Sequence, residues 1–327
     1  MRRFLPLLVL ALLVPGLAAG AETKKKPAAH ILPHPAATKV PGGKALSAKP
    51  VSADDRAYGA LQRGYYLTAL KIALPIAKLG DPVAQTLVGE IYGRGLGVPR
   101  SDEEAARWYK AAAKANHPYG EFRYGLMLLD GSAGYKDYAE AKRLMKAAAD
   151  GGIPLAGYNY GQMLIEASPN AGFAEAMPYF AKAAGAGVPD AQYAMAQVLA
   201  YGRGVERPNL EQARAFLAAA ARNGHVVSQI ELGIWMINGK GGAKNAALGA
   251  GWLRRAAARG NPIAMNRLAH LYKDGVGVEA SKVEAAKWSV LAKRADNDDA
   301  TLDDFFRKLD EDTKKSALEA ANRFRPS

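Results

Sequence analysis

The sequence predicts an all-α protein, a right-handed superhelical solenoid of helix-turn-helix repeats closed at its C-terminal end. Three observations predict it. A five-residue phrase recurs at nearly constant spacing, a glycine-rich turn follows most recurrences, and beyond each turn runs alanine-rich text with one large side chain. The phrase reads Gly80-Asp-Pro-Val-Ala84, Asn116-His-Pro-Tyr-Gly120, Gly152-Ile-Pro-Leu-Ala156, Gly187-Val-Pro-Asp-Ala191, Gly224-His-Val-Val-Ser228 and Gly260-Asn-Pro-Ile-Ala264. Its last positions lie 36, 36, 35, 37 and 36 residues apart, the period of stacked helical hairpins.

Before the repeats come two segments of different character. Residues 1–21 read as a secretory signal peptide: Arg2 and Arg3, the apolar stretch Phe4 to Val14, then Ala19-Gly20-Ala21 as the cleavage site. That apolar stretch is shorter than the ~20 residues a membrane span needs, so membrane contact is expected only in transit. Residues 22–53 read as a disordered basic linker. Pro27, Pro33, Pro35, Pro41 and Pro50 favour extended chain, and little apolar surface offsets the entropy of ordering. Residues 54–79 read as a degenerate first hairpin.

Residues 81–295 hold six units. In each, helix A starts near the proline, which suits a first helical position. Five residues after the small last residue of the phrase comes another small one: Gly89, Gly125, Gly161, Ala196, Gly233 and Ala269. The turn that ends helix A is clear at Gly95-Leu-Gly97, Gly202-Arg-Gly204 and Gly275-Val-Gly277. It is blurred in the second and fifth units and replaced by Ala167-Ser-Pro-Asn170 in the third. Ser101 or Asp102 can cap the following helix B, with Glu103 and Glu104 in its first turn. The large residue of helix B (Trp108, Leu144, Phe180, Phe216, Trp252, Trp288) is expected to fill the gap left by the small residues of helix A. A single hairpin cannot bury such a face, so neighbours stack. Residues 296–327 supply the cap, with an amphipathic helix expected over 300–323.

These residues carry a resemblance. Gly89 to Val98 and Ala269 to Val278, with the Trp-containing alanine-rich helix and the closing Gly-x-Pro-x-Ala phrase, resemble the Sel1-like repeat, a relative of the tetratricopeptide repeat. The resemblance implies a protein-binding array rather than an enzyme.

Composition and motifs agree. The chain has no cysteine, which excludes disulfide scaffolds, thiol nucleophiles and cysteine–metal sites. The Gly93-x-Gly95-x-Gly97 run lacks the strand that a nucleotide loop follows. His30 and His34 lie in the proline-rich tail, which holds ligands poorly; His117 and His225 share one repeat position three periods apart. No catalytic residue, metal site or cofactor is expected. The formal charge of +13 is spread: the tail over 22–50 holds six basic residues and one acidic, the closing segment six basic and nine acidic. No phosphate-and-stacking motif accompanies it, so nucleic acid is not an expected partner. Arg94 and Arg203, in two Tyr-Gly-Arg-Gly phrases, with Arg123, Lys146 and Arg267, could form a basic edge, though a solvated face is the simpler account.

A surface remains. Two residues after the phrase stand Phe122, Tyr158, Tyr193 and Ile230 in the central units. If helix A lines a concave face, they form an apolar–aromatic binding strip; the competing account packs them between repeats. The function expected is that of an exported periplasmic adaptor, assembly factor or regulator binding protein partners in the cell envelope. The alternatives are a peptidoglycan- or polysaccharide-binding protein and, last, a cell-wall-acting enzyme.

Overall fold

The computed structural model describes residues 53–326, which form sixteen helices and no strand. The expected signal peptide over 1–21 and, save Ala53, the expected linker lie outside the described residues. The chain divides into two compact units at residues 163 and 164. The first holds α1 (Ala53–Gln62), α2 (Tyr66–Lys78), α3 (Pro82–Arg94), α4 (Asp102–Lys114), α5 (Pro118–Asp130), α6 (Tyr138–Asp150) and most of α7 (Pro154–Ala167). The second holds α8 (Gly172–Gly185), α9 (Pro189–Tyr201), α10 (Leu210–Arg222), α11 (Val226–Asn238), α12 (Ala246–Ala258), α13 (Pro262–Asp274), α14 (Lys282–Arg294), α15 (Ala300–Arg307) and α16 (Glu311–Arg323). From α1 to α6, and again from α8 to α14, each helix packs on the next in sequence.

Sequence chemistry sets the ends of these helices. Ser101, Asp137, Asn209, Asn245 and Ser281 precede α4, α6, α10, α12 and α14, and each side chain accepts the backbone N–H three residues on. This satisfies one of the amides that a helix start leaves unpaired. Asp81, His117, His225 and Asn261 do the same for α3, α5, α11 and α13. The turns between hairpins need a positive φ. Glycine supplies it in most, and Asn116 and Asp296 take φ values of 56° and 57° in the others, as the short polar residues that best tolerate that region.

Close approach of backbones then fixes the stacking. An added Cβ at Gly277 would lie 2.2 Å from the Ala246 carbonyl oxygen at the start of α12, and one at Gly241 would lie 2.3 Å from that of Leu210 at the start of α10. The second glycine of the turns at Gly97, Gly204, Gly241 and Gly277 thus seats against the preceding helix B. Gly239 and Gly241 have φ of 76° and 69°, so the fifth unit keeps this turn in full, although Lys240 and Gly242 disguise it in the sequence.

Two further expectations are corrected. The side chain that fills the gap beside helix A's small residue is one position after the predicted one. Tyr109 faces Gly89, Met145 faces Gly125 and Leu253 faces Gly233, with an added Cβ falling 2.8 Å, 3.1 Å and 2.9 Å from them. One residue is a 100° step around the helix, which turns Trp108 instead into the cluster of α1, α2 and α3 side chains. The closing segment is two helices, not one. Asp310 accepts the Thr313 N–H at 2.8 Å and so restarts the chain as α16, which packs on α14 with Phe324 edge-on to Trp288 at 5.4 Å.

Replacing Gly277 by Ala should lower stability by about 3 kcal/mol in denaturant titration, because it adds both a left-handed strain and a backbone clash. Gly251→Ala is the matched control. Nothing lies within 4 Å of an added Cβ in α12 there, so a gain of about 0.5–1 kcal/mol is expected.

Candidate interaction surface

The residues of the expected strip do not share one environment. Phe122 and Ile230 are each only 5% exposed. Phe122 meets the edge of Tyr119 at 6.1 Å, and Ile230 lies in the core cluster with Met265 and Leu268 of the next helix A. At these two positions the expectation of an exposed binding strip is corrected: both side chains are enclosed, Ile230 by the next helix A. Tyr158 and Tyr193 are half-buried. The Tyr193 ring lies 4.7 Å from that of His225, at the start of the next helix A.

Polar residues at repeat-equivalent positions tie hairpins together, a feature the sequence reading missed. Buried Gln85, Gln192 and Gln229 follow the small last residue of the phrase. Their side-chain amides donate to Ala77, Ala184 and Ala221 carbonyls at 3.2, 3.1 and 3.0 Å. Those carbonyls end the preceding helix B, where backbone acceptors lack helical partners. Asn223 and Arg259 reach back across a repeat to the Gly187 and Gly224 carbonyls. The signal was present as a recurring Gln, but only the geometry shows its acceptor.

A second set of links joins adjacent A helices. In the first unit, buried Glu90 accepts from the Tyr109 hydroxyl at 2.8 Å and pairs with Arg123 at 3.1 Å and Arg94 at 3.2 Å. Arg123 also stacks 5.3 Å over the Tyr109 ring. Burial, and the negative charge of Glu90, push the Tyr119 hydroxyl up to about 12 against the pull of Arg123. In the second unit Glu231 accepts from the Gln197 amide at 2.8 Å, with the Tyr193 hydroxyl and the Trp235 indole beside it. Burial pushes its carboxyl above the usual range, and the Gln197 bond, nearby Lys240 and the neighbouring donors restrain the rise. At the end of the array Asp299 caps α15 and bonds His270 at 2.9 Å and Asn266 at 3.2 Å. Desolvation would raise Asp299, but the bonds from His270, the Leu302 amide and Asn266 hold it down at about 2.

The expected basic edge resolves into separate roles. Arg94 and Arg123 serve Glu90, and Lys146 pairs with Asp150 at the surface. Arg203 lies beyond the end of α9 and stacks on Phe173 and Tyr201 at 5.4 and 5.6 Å. Among the described residues no three His, Asp or Glu side chains gather as a metal site requires, and no helix is long and apolar enough to cross a membrane.

The geometry defines a helical-hairpin repeat protein. The Sel1 repeat model matches residues 82–117, 118–153, 189–225, 226–261 and 262–297, more than half of the sequence, and the chain belongs to the Sel1 repeat family. The hairpin over 154–188 falls between matches. There α8 contains Pro178 and begins without a side-chain cap. Among solved structures the chain is similar to a Sel1 repeat protein from Oxalobacter formigenes, with 25% identity, a TM-score of 0.63, and coverage of 73% of this chain and 96% of that one. It also resembles a protective antigen of uropathogenic Escherichia coli strains displaying an SLR fold, at 24% identity and a TM-score of 0.51, covering 82% of this chain and 68% of that one. No curated protein matches the sequence.

Two outcomes follow for stability. Arg123→Ala should cost about 2 kcal/mol, because it strips a charged partner from a buried carboxylate. Arg100→Ala should cost under about 0.5 kcal/mol, its bond to Asp102 being exposed. The second outcome concerns pH. Burial lowers the His117 and His225 pKa values below 6.5 in the folded protein, against the opposing pull of Asp81 and Asp190. Their contribution is therefore present above pH 6.5 and is lost as pH falls through the lowered folded values, since the unfolded chain takes up protons first. Asn caps the equivalent position of α13, so His117→Asn with His225→Asn should keep the caps and flatten urea-unfolding free energy between pH 7 and pH 5.

Proposed function

We propose that the protein is exported and acts in the bacterial periplasm as an adaptor, assembly factor or regulator of cell-envelope proteins. Sel1 repeat proteins generally mediate protein–protein interactions. The observation that carries the reading is the locked register of the hairpins. Repeat-equivalent Gln, Asn and Arg bonds hold neighbouring helices at fixed spacing, which presents a preorganised surface at little entropic cost on binding. The compartment rests on the Arg2 to Ala21 pattern. Along the A helices, Leu155 and Val227 stand 40% and 44% exposed at the second helical position, which suits contact with a partner.

Expression of the full chain with a C-terminal tag should yield a periplasmic product whose N-terminal residue is Glu22. A cytoplasmic product still beginning at Met1 rejects the compartment. A photo-crosslinking amino acid at Leu155 or Val227 should form a discrete adduct with an envelope protein. Co-sedimentation with purified peptidoglycan and no protein adduct would favour the polysaccharide alternative.

A further inference from the structure

We propose that the turn edge of the second unit, built by Arg203, Lys240 and Arg214 around Tyr201, is a docking site for an acidic segment of a partner protein. The proposal rests on the protein-binding reading above and names the chemistry that would be bound. Arg203 and Lys240 occupy the same place in successive repeats, each directly after the glycine that ends helix A. Both attend the Tyr201 ring, at 5.6 and 6.0 Å from its centre, and each stacks on a second aromatic. Arg203 covers Phe173 at 5.4 Å and Lys240 covers Trp235 at 4.2 Å. Phe173 and Trp235 are buried, whereas Tyr201 is 41% exposed. Arg214 of α10 reaches the same edge by donating to the Lys240 and Ala243 carbonyls.

Cation–aromatic stacking orients these side chains without neutralising them. Among the described residues none of the three cations has a carboxylate within ion-pair distance. Arg100, Arg107, Arg143 and Lys287, by contrast, each pair with an acidic neighbour. Glu231, whose charge faces Lys240, accepts from the Gln197 amide at 2.8 Å. The edge therefore offers oriented positive donors with no carboxylate paired to them. Carboxylates are the acceptor-only side chains that complement such donors, and guanidinium binds them in a paired geometry. A nucleic acid would share the charge but would need open aromatic faces for its bases. Here Phe173 and Trp235 are already buried and covered by cations, which favours the acidic peptide.

The test is a selection followed by a binding measurement. A random 12-residue phage-displayed library is panned on the purified protein and on the Arg203→Gln/Lys240→Gln variant, after circular dichroism melts verify that the variant folds. The selected peptides and a single-stranded 20-nucleotide DNA are then titrated by fluorescence anisotropy at low and high salt. The expected result is a selected set rich in Asp and Glu, binding at least tenfold more weakly to the variant and losing affinity as salt rises. Peptides without acidic enrichment, or bound equally by the variant, overturn this site while leaving the protein-binding reading intact. DNA binding that the variant loses, with no acidic peptide selected, overturns the choice of partner. A library that yields no binder to either protein overturns the docking site and counts against the protein-binding reading as well.

Discussion

The approach of one hairpin to the next is limited by backbone rather than by side chains. At Gly277 and Gly241 the turn of one repeat lies so near the first turn of the preceding helix B that not even a methyl group fits. The same constraint recurs between helices of one hairpin, where Gly233 and Gly249 face each other's carbonyls and an added Cβ on either would lie within 3 Å. Small residues at these points set the interaxial distance, and the remaining side chains are chosen to fit it. The buried alanines of helix B follow from it. Ala105, Ala141, Ala213 and Ala285 are almost wholly enclosed because the neighbouring helix leaves no room for more.

Once spacing is fixed in this way, polar links can be made at constant geometry. A buried glutamine on helix A meets a carbonyl at the end of the previous helix B because both lie at known heights along their helices. Such bonds contribute modestly to stability, about 1 kcal/mol each, yet a slip of one residue would leave every one of them unmade. They therefore guard register more than they add strength. Residues not used by stacking collect at the turns, where Arg203, Tyr201 and Lys240 stand. In a repeat fold, function is carried by these positions and not by those that define the repeat.

Much of the architecture was legible because the repeat reports on itself. Pro82, Pro118, Pro189 and Pro262 each open a helix A, and Ser101 caps α4 as its Ser-Asp-Glu-Glu context implies. What misled was angular. A period of 36 fixes which residues are equivalent but not which way each points, so Trp108 was chosen as the filler that Tyr109 turns out to be. The same ambiguity placed Phe122 and Ile230 on an open face, when the width of the gap between A helices decides whether that position is enclosed. The Glu231 cluster was out of reach for a different reason. Gln197 comes from one repeat and Glu231 and Lys240 from the next, at unequal positions, and no single phrase contains them. The Asp310 restart lay within reach, as an Asp followed three residues on by a threonine N–H, but the apolar positions on both sides suggested one continuous helix.

The two buried glutamates show how the array disposes of its charge. Glu90 is held by two guanidinium groups and a tyrosine, Glu231 by an amide with an indole, a phenol and one ammonium nearby. Burial penalises an isolated carboxylate, so each must recruit donors; at Glu90 the two guanidinium groups bring more positive charge than the acid removes, whereas at Glu231 one ammonium only balances it. Arg94 and Arg123 are 31% and 29% exposed, so the surplus is turned outward to water. A positive excess thus arises at half-exposed positions around Glu90 as a by-product of packing. Association of an acidic partner with such a surface would be steered at low salt and slowed as the ionic atmosphere screens it, since the steering range is only about 8 Å at physiological ionic strength. Charge would set how fast such a partner arrives, and the rigid spacing of the hairpins which one stays.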